Sequence, residues 1–128
     1  MPQSDVDALK WASLAANHGH VLAQYNLGIM YASGRGAPQD EVEATKWYRL
    51  AAEQGYVLAQ SSLGLRYSNG QGVPKDPVQA LKWLTIAVAR GDSRAVNDLE
   101  AIKQSMAPLQ IVEARKLAKE WKPSAPQQ

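Results

Sequence analysis

A chain of 128 residues, 45% apolar and 20% charged, is one domain's worth of ordinary globular composition. Its net charge of +2, with Lys and Arg evenly interleaved with Asp and Glu, excludes the basic stripe of a nucleic-acid binder, and the absence of Cys excludes a disulfide framework and thiolate chemistry. The opening Met1-Pro2-Gln3-Ser4-Asp5 has neither a basic nor an apolar leader segment, and no later stretch is apolar for long enough to span a bilayer, so membrane insertion is not expected. The expected compartment is the cytoplasm as written, or the periplasm or exterior where a signal peptide has been removed.

Helix starts are marked by Ser4, Asp40 and Asp76, each a good N-cap followed three positions on by Asp7, Glu43 or Gln79, with Pro77 at the first helical position of the third. The helices so opened, over residues 5–17, 41–53 and 77–89, carry Ala and Trp on one face (Ala8, Trp11, Ala15; Ala44, Trp47, Ala51; Ala80, Trp83, Ala87). Gly19, Gly55 and Gly91 end them. The return helices are predicted over 21–33, 57–69 and 93–105, antiparallel to their predecessors because the turns are short. Gly28 and Gly64 inside them cost about 1 kcal/mol each relative to Ala, and close approach of a neighbouring helix, with a Trp indole on the bare backbone, is the expected compensation. Gly34, Gly36, Gly70 and Gly72, with Pro38 and Pro74, make bends that no helix continues through. Ala107-Pro108 opens a last helix with Ile111, Ala114, Leu117, Ala118 and Trp121 on one side and Glu113, Lys116, Lys119 and Glu120 on the other.

These elements recur. Residues 44–76 restate residues 8–40 at an offset of 36, and a third, eroding copy follows in which Glu100 and Lys103 replace Gly and Tyr. A period in this range means a repeat architecture, whose units bury their apolar faces only against neighbours, and the last helix reads as its cap. The unit Ala-x3-Leu-Gly-x2-Tyr-x2-Gly-x-Gly, then Pro-x-Asp and Ala-x2-Trp-x3-Ala-Ala-x2-Gly, resembles the Sel1-like repeat, a relative of the tetratricopeptide repeat, over residues 1–99. The resemblance implies an all-α fold, a right-handed α/α superhelix of antiparallel helix pairs with about seven helices. Its units would be a leading Trp helix at 1–19, repeats at 20–55 and 56–91, a partial repeat at 92–106 and a capping helix at 107–121, within a domain of 1–121. Residues 122–128 are expected to form a flexible tail. The resemblance further implies a non-catalytic adaptor that binds a protein or peptide through the concave face made by the Leu-Gly helices. A secreted or periplasmic relative that binds or hydrolyses a small molecule such as a β-lactam is the alternative, although such relatives are Cys-rich; a self-associating structural module, with a homodimer through the uncovered first repeat as one form, is the second.

On the helical wheel the positions not needed for stacking are Leu22, Tyr25, Asn26, Ile29 and Ala32 in the first inner helix and Leu58, Ser61, Ser62, Leu65 and Ser68 in the second. Arg94, Asn97, Asp98 and Ala101 are their counterparts in the third. The first two sets are more apolar than a solvated face should be. Leu22, Tyr25, Asn26, Ile29, Leu58, Ser61, Ser62, Leu65, Arg94 and Asn97 are the candidate partner-binding residues; the competing reading packs them against adjacent helix pairs. Lys10, Lys46 and Lys82 form a ladder read as a solvated rim, and His18 and His20 are read as capping residues because zinc wants three or four protein ligands. Gly34-Arg35-Gly36 and Gly70-Gln71-Gly72 lack the following Lys-Ser or Lys-Thr of a phosphate loop. No nucleophile and base are spaced for catalysis, so no catalytic residue, metal or cofactor is expected.

Overall fold

The computed structural model describes residues 4–124, and within them the chain folds into seven helices and no strand. These are α1 (Asp5–Asn17), α2 (Val21–Ser33), α3 (Glu41–Glu53), α4 (Val57–Asn69), α5 (Pro77–Ala89), α6 (Ala95–Gln104) and α7 (Pro108–Glu120). Each of the first six packs chiefly on its chain neighbours, and α7 turns back to lie along α5. The result is an α/α superhelix of stacked hairpins with a closing helix. No described helix is long and apolar enough to cross a membrane.

The helix limits follow the local chemistry. Ser4 Oγ, Asp40 Oδ1 and Asp76 Oδ1 accept the backbone N–H groups of Asp7, Glu43 and Gln79 at 3.2, 3.1 and 3.2 Å. These satisfy donors that a helix start would otherwise leave orphaned. Each Gly-x-Gly bend closes on its own hairpin, with the N–H of Asp40 donating to Tyr31 O and that of Asp76 to Tyr67 O. The hairpin turns are stapled from inside by two fully buried amides: Gln24 Nε2 donates to Ala16 O and Gln60 Nε2 to Ala52 O. Neighbouring hairpins are joined at the same level, where Gln54 reaches Gly19 O and Arg90 reaches Gly55 O.

Packing is serial. Trp47 sits with Ala16 and Leu27 of the hairpin before it, ringed by Leu9, Ala12, Ala23 and Tyr31. Trp83 sits 36 residues on with Ala51, Ala52, Ala59 and Leu63. The third such seat, with Ala95, Val88 and Leu99, is filled by Ile111 and Ala114 of α7. The equivalence fails at the first Trp: Trp47 is 7% and Trp83 2% exposed, but Trp11 is 61% exposed because no described hairpin lies in front of it.

Two expectations need correction. The side chains resting on the inner glycines are not indoles: a Cβ at Gly28 would stand 2.9 Å from the Tyr48 ring, and one at Gly64 would stand 2.9 Å from Leu84 Cγ. The residue after each Trp takes that place, because one step along a helix turns the side chain by about 100° toward the facing helix. The close approach itself is present, with Ala44 O and Ala80 O at 3.2 and 3.3 Å from the same points. The second correction concerns the tail. Residues 122–124 follow the surface rather than leaving it, since Ser124 N–H donates to Glu53 O at 2.7 Å and Trp121 Nε1 to Glu53 Oε1 at 3.2 Å. Residues 125–128 of the expected tail lie outside the described residues.

Candidate functional site

The inner helices α2, α4 and α6 bring some of the candidate residues together and leave others apart. Tyr25, Leu58, Ser61, Ser62, Leu65 and Arg94 line one open cavity of about 320 Å³. Leu22, Asn26, Ile29 and Asn97 do not line it. Leu22 and Asn26 are exposed farther along the α2 side, Ile29 is half-buried, and Asn97 faces solvent. Tyr25 is as much a packing residue as a lining one: its ring stands 5.6 Å from that of Tyr48 and 5.0 Å from that of Tyr56. Leu58 and Leu65 are different, one-third exposed and free to meet a ligand.

The cavity's polar wall includes two acids outside the candidate set, Asp92 and Asp98. Asp92 sits where His20 and Tyr56 stand in the earlier repeats, two residues ahead of the N-cap of α6, and unlike them it accepts a backbone N–H with its side chain. Its Oδ1 accepts the Arg94 backbone N–H and Nε, both at 3.1 Å, and Oδ2 accepts Arg94 Nη2 at 3.4 Å together with the Ser61 hydroxyl. The carboxylate is covered by these two side chains rather than by a deep core. Asp98, outward on the wheel, closes the far side.

The Arg94 and Ser61 hydrogen bonds hold the Asp92 carboxyl below the ordinary carboxylate range. A carboxyl whose folded pKa lies below its unfolded value stabilises the fold at neutral pH, and that contribution disappears as the pH falls through the folded value. Asp92→Asn is therefore expected to cost about 1–2 kcal/mol at pH 7, from lost charge-assisted bonds, since the amide oxygen still accepts the Arg94 backbone N–H. Urea denaturation should show the gap to the parent protein closing on the acid side, below about pH 4; an unchanged gap at low pH would contradict this linkage. The same depressed pKa makes Asp92 a poor base for the Ser61 hydroxyl it holds. Both oxygens of the carboxylate instead hold the Arg94 guanidinium in place.

The cavity belongs to a longer trough. A second cavity, of about 450 Å³, shares Leu65 and Asp98 with the first and continues past Ser68 and Asn69 of α4 and Ala101 and Ser105 of α6. A third shares Leu58, Asp92 and Arg94 at the other end and opens past Val57 and Gly91. The trough thus runs the length of α4, whose 13 residues span about 18 Å at 1.5 Å per step. It lies between α4 and α6, two inner helices that touch only sparsely.

The remaining sequence candidates resolve simply. Lys10 and Lys46 are exposed, as a solvated rim requires, and Lys82 is half-buried; Lys46 lies 5.0 Å over the Trp47 ring and Lys82 4.5 Å over the Trp83 ring. Partial burial there pulls the Lys82 pKa below its ordinary value. His18 and His20 occupy cap positions through their backbone, and the imidazole of His20 makes no capping bond. Among the described residues no three His, Cys, Asp or Glu side chains are grouped to hold a metal ion.

Comparison with known proteins follows the same repeat boundaries. The Sel1 repeat model matches residues 1–20, 21–56 and 57–92. In structure the chain is similar to a protective antigen present in uropathogenic Escherichia coli strains and displaying an SLR fold, with 33% identity and a TM-score of 0.86 over 91% of this chain and 25% of that one. It is also similar to a Sel1 repeat protein from Oxalobacter formigenes, with 42% identity and a TM-score of 0.69 over 72% of this chain and 69% of that one. The chain spans a quarter of the length of the first of these. No curated protein matches it by sequence.

Proposed function

This chain belongs to the Sel1 repeat family, and from that premise we propose that it is a non-catalytic scaffold that grips a protein or peptide segment in the trough between α4 and α6. Sel1 repeat proteins generally serve as protein-interaction scaffolds. The observation that carries the reading here is the trough itself, apolar on the α4 side at Leu58 and Leu65 and polar on the α6 side at Arg94 and Asp98. At about 3.3 Å per residue its length suits an extended segment of five or six residues. One apolar side chain would seat between Leu58 and Leu65, contributing about 1.5–3 kcal/mol by burial. The Arg94 guanidinium, held in place by Asp92, would take a backbone carbonyl or a carboxylate, and the Ser61 and Ser62 hydroxyls line the floor.

The test is to select peptides on the immobilised protein and measure their affinity for a double variant, Leu58→Asp with Leu65→Asp. Both side chains are exposed enough that the fold should survive, seen as unchanged helicity by circular dichroism. Binding should weaken at least tenfold, the equivalent of about 1.4 kcal/mol. Undiminished affinity would move the partner surface elsewhere. Tyr25 is unsuitable for this purpose, since removing it from between Tyr48 and Tyr56 would damage the stack.

A further inference from the structure

The third repeat changes two positions at one end of the trough, and both changes put a guanidinium there. Arg90 stands where His18 and Gln54 stand in the earlier copies, and Arg94 where Leu22 and Leu58 stand. Arg90 repeats the structural work of Gln54: its Nη2 donates to Gly55 O at 3.0 Å, as Gln54 Nε2 donates to Gly19 O at 3.1 Å. A neutral amide suffices for that bond. Gln54 also donates to Gln24 Oε1 at 2.8 Å, whereas Arg90 makes no equivalent bond, and Gln60 Oε1 is buried without a partner among the described residues. The guanidinium thus leaves a buried acceptor unpaired, at a cost to the fold that its bond to Gly55 does not offset.

Both guanidinia line the cavity of about 400 Å³ at this end, beside Val57, Leu58 and Gly91. Arg90 is fixed there by Gly55 O and by the Trp121 ring, whose centroid lies 5.6 Å away, and Arg94 is fixed by Asp92. A guanidinium carries five N–H donors, so both arginines keep donors for a ligand. Their charge is not cancelled. Asp92, the acid lining this cavity, offsets one of the two, whereas in the cavity at the other end Asp98 and Lys75 balance each other. A carboxylate brought to the Arg90–Arg94 end therefore meets net positive charge and donors already held in place. The end is also open, since nothing lies within 4 Å of a Cβ built at Gly91, and a bound chain can run on past it. Resting on the reading of the trough as a groove for an extended segment, we propose that its Arg90–Arg94 end selects an acidic side chain within that segment. Residues two apart in an extended chain share a side and stand about 7 Å apart. The acid accordingly lies two residues from the apolar side chain seated between Leu58 and Leu65.

The probe is a library of short peptides, acetylated and amidated so that neither chain end is charged, selected on the parent protein. Selected peptides should carry Asp or Glu two residues from an apolar residue, and replacing that acid by its amide should weaken binding roughly tenfold. This comparison uses the unaltered protein and does not depend on any variant folding. Against Arg90→Gln the same replacement should weaken binding roughly threefold or less, and Arg90→Lys, which keeps the charge, should retain more of the preference. Peptides that bind through Leu58 and Leu65 with no acid at that spacing would overturn the proposal and leave the groove standing. An acid preference equal in the parent and in Arg90→Gln would do the same. Binding restored to acid-free peptides by a free carboxy terminus would assign the guanidinia to a chain end, against the proposal. No selected peptide at all would remove the groove itself and this inference with it.

Discussion

Gly72→Ala is expected to destabilise the protein by about 4 kcal/mol or more, a large part of the stability of an ordinary domain. Gly72 closes the bend after α4 at φ 73°, a left-handed conformation that an L side chain resists at about 1–2 kcal/mol. Space adds more. A Cβ there would run into the carbonyl oxygen of Glu41 and stand 2.5 Å from Thr45 Oγ1 and 2.6 Å from Glu41 C, all on α3. Thr45 cannot step aside without giving up its bond to Gln71 O at 2.9 Å, which holds the bend against the helix. Gly91→Ala separates the two terms, because Gly91 has φ 109° but nothing within 4 Å of its would-be Cβ. It should lose only the conformational term, about 1–2 kcal/mol. Equal losses by urea denaturation would show that the bend is not wedged against α3.

Truncating the three equivalent tryptophans should give two large losses and one small one. Trp83→Ala is expected to cost about 3–5 kcal/mol, as for a large aromatic taken from a packed interior. It fills the seat of Ala51, Ala52, Ala59 and Leu63, and its edge meets Trp121 with ring centroids 6.0 Å apart. Trp47→Ala should approach the same loss. Trp11→Ala, measured in dilute solution, should cost less than about 1 kcal/mol, because its indole leaves little water when the chain folds. Residue type and repeat position are identical at all three sites, so the spread reads only whether a preceding hairpin is present. That is the energetic meaning of a quasi-one-dimensional fold, in which each unit is stabilised by its neighbours.

Most of this fold was legible because it is written two and a half times. An offset of 36 residues places Ser4, Asp40 and Asp76 at three helix starts and Gly19, Gly55 and Gly91 just past three helix ends, and the coordinates put them there. What repetition does not encode is rotation about the helix axis to within one residue. Tyr48 and Leu84, rather than the neighbouring tryptophans, therefore took the places over Gly28 and Gly64. The site was legible only in part. A helical wheel names the outward residues of each inner helix but not the space left between one inner helix and the next. The trough arises where the third copy departs from the pattern, around Asp92, Asp98 and a shortened α6. Asp92 stands at the position of His20 and Tyr56, where neither earlier copy carries a carboxylate. Its bonds to Arg94 and Ser61 depend on how one repeat sits on the next, which no single-repeat pattern contains.

The most direct measurement is a nuclear magnetic resonance titration of the isotope-labelled protein with a selected peptide, reading backbone shifts residue by residue. Shifts should gather at Leu58, Ser61, Leu65, Asp92, Arg94 and Asp98, along the facing sides of α4 and α6. Shifts gathering instead on α1, α3 and α5, with those six residues unmoved, would contradict the account.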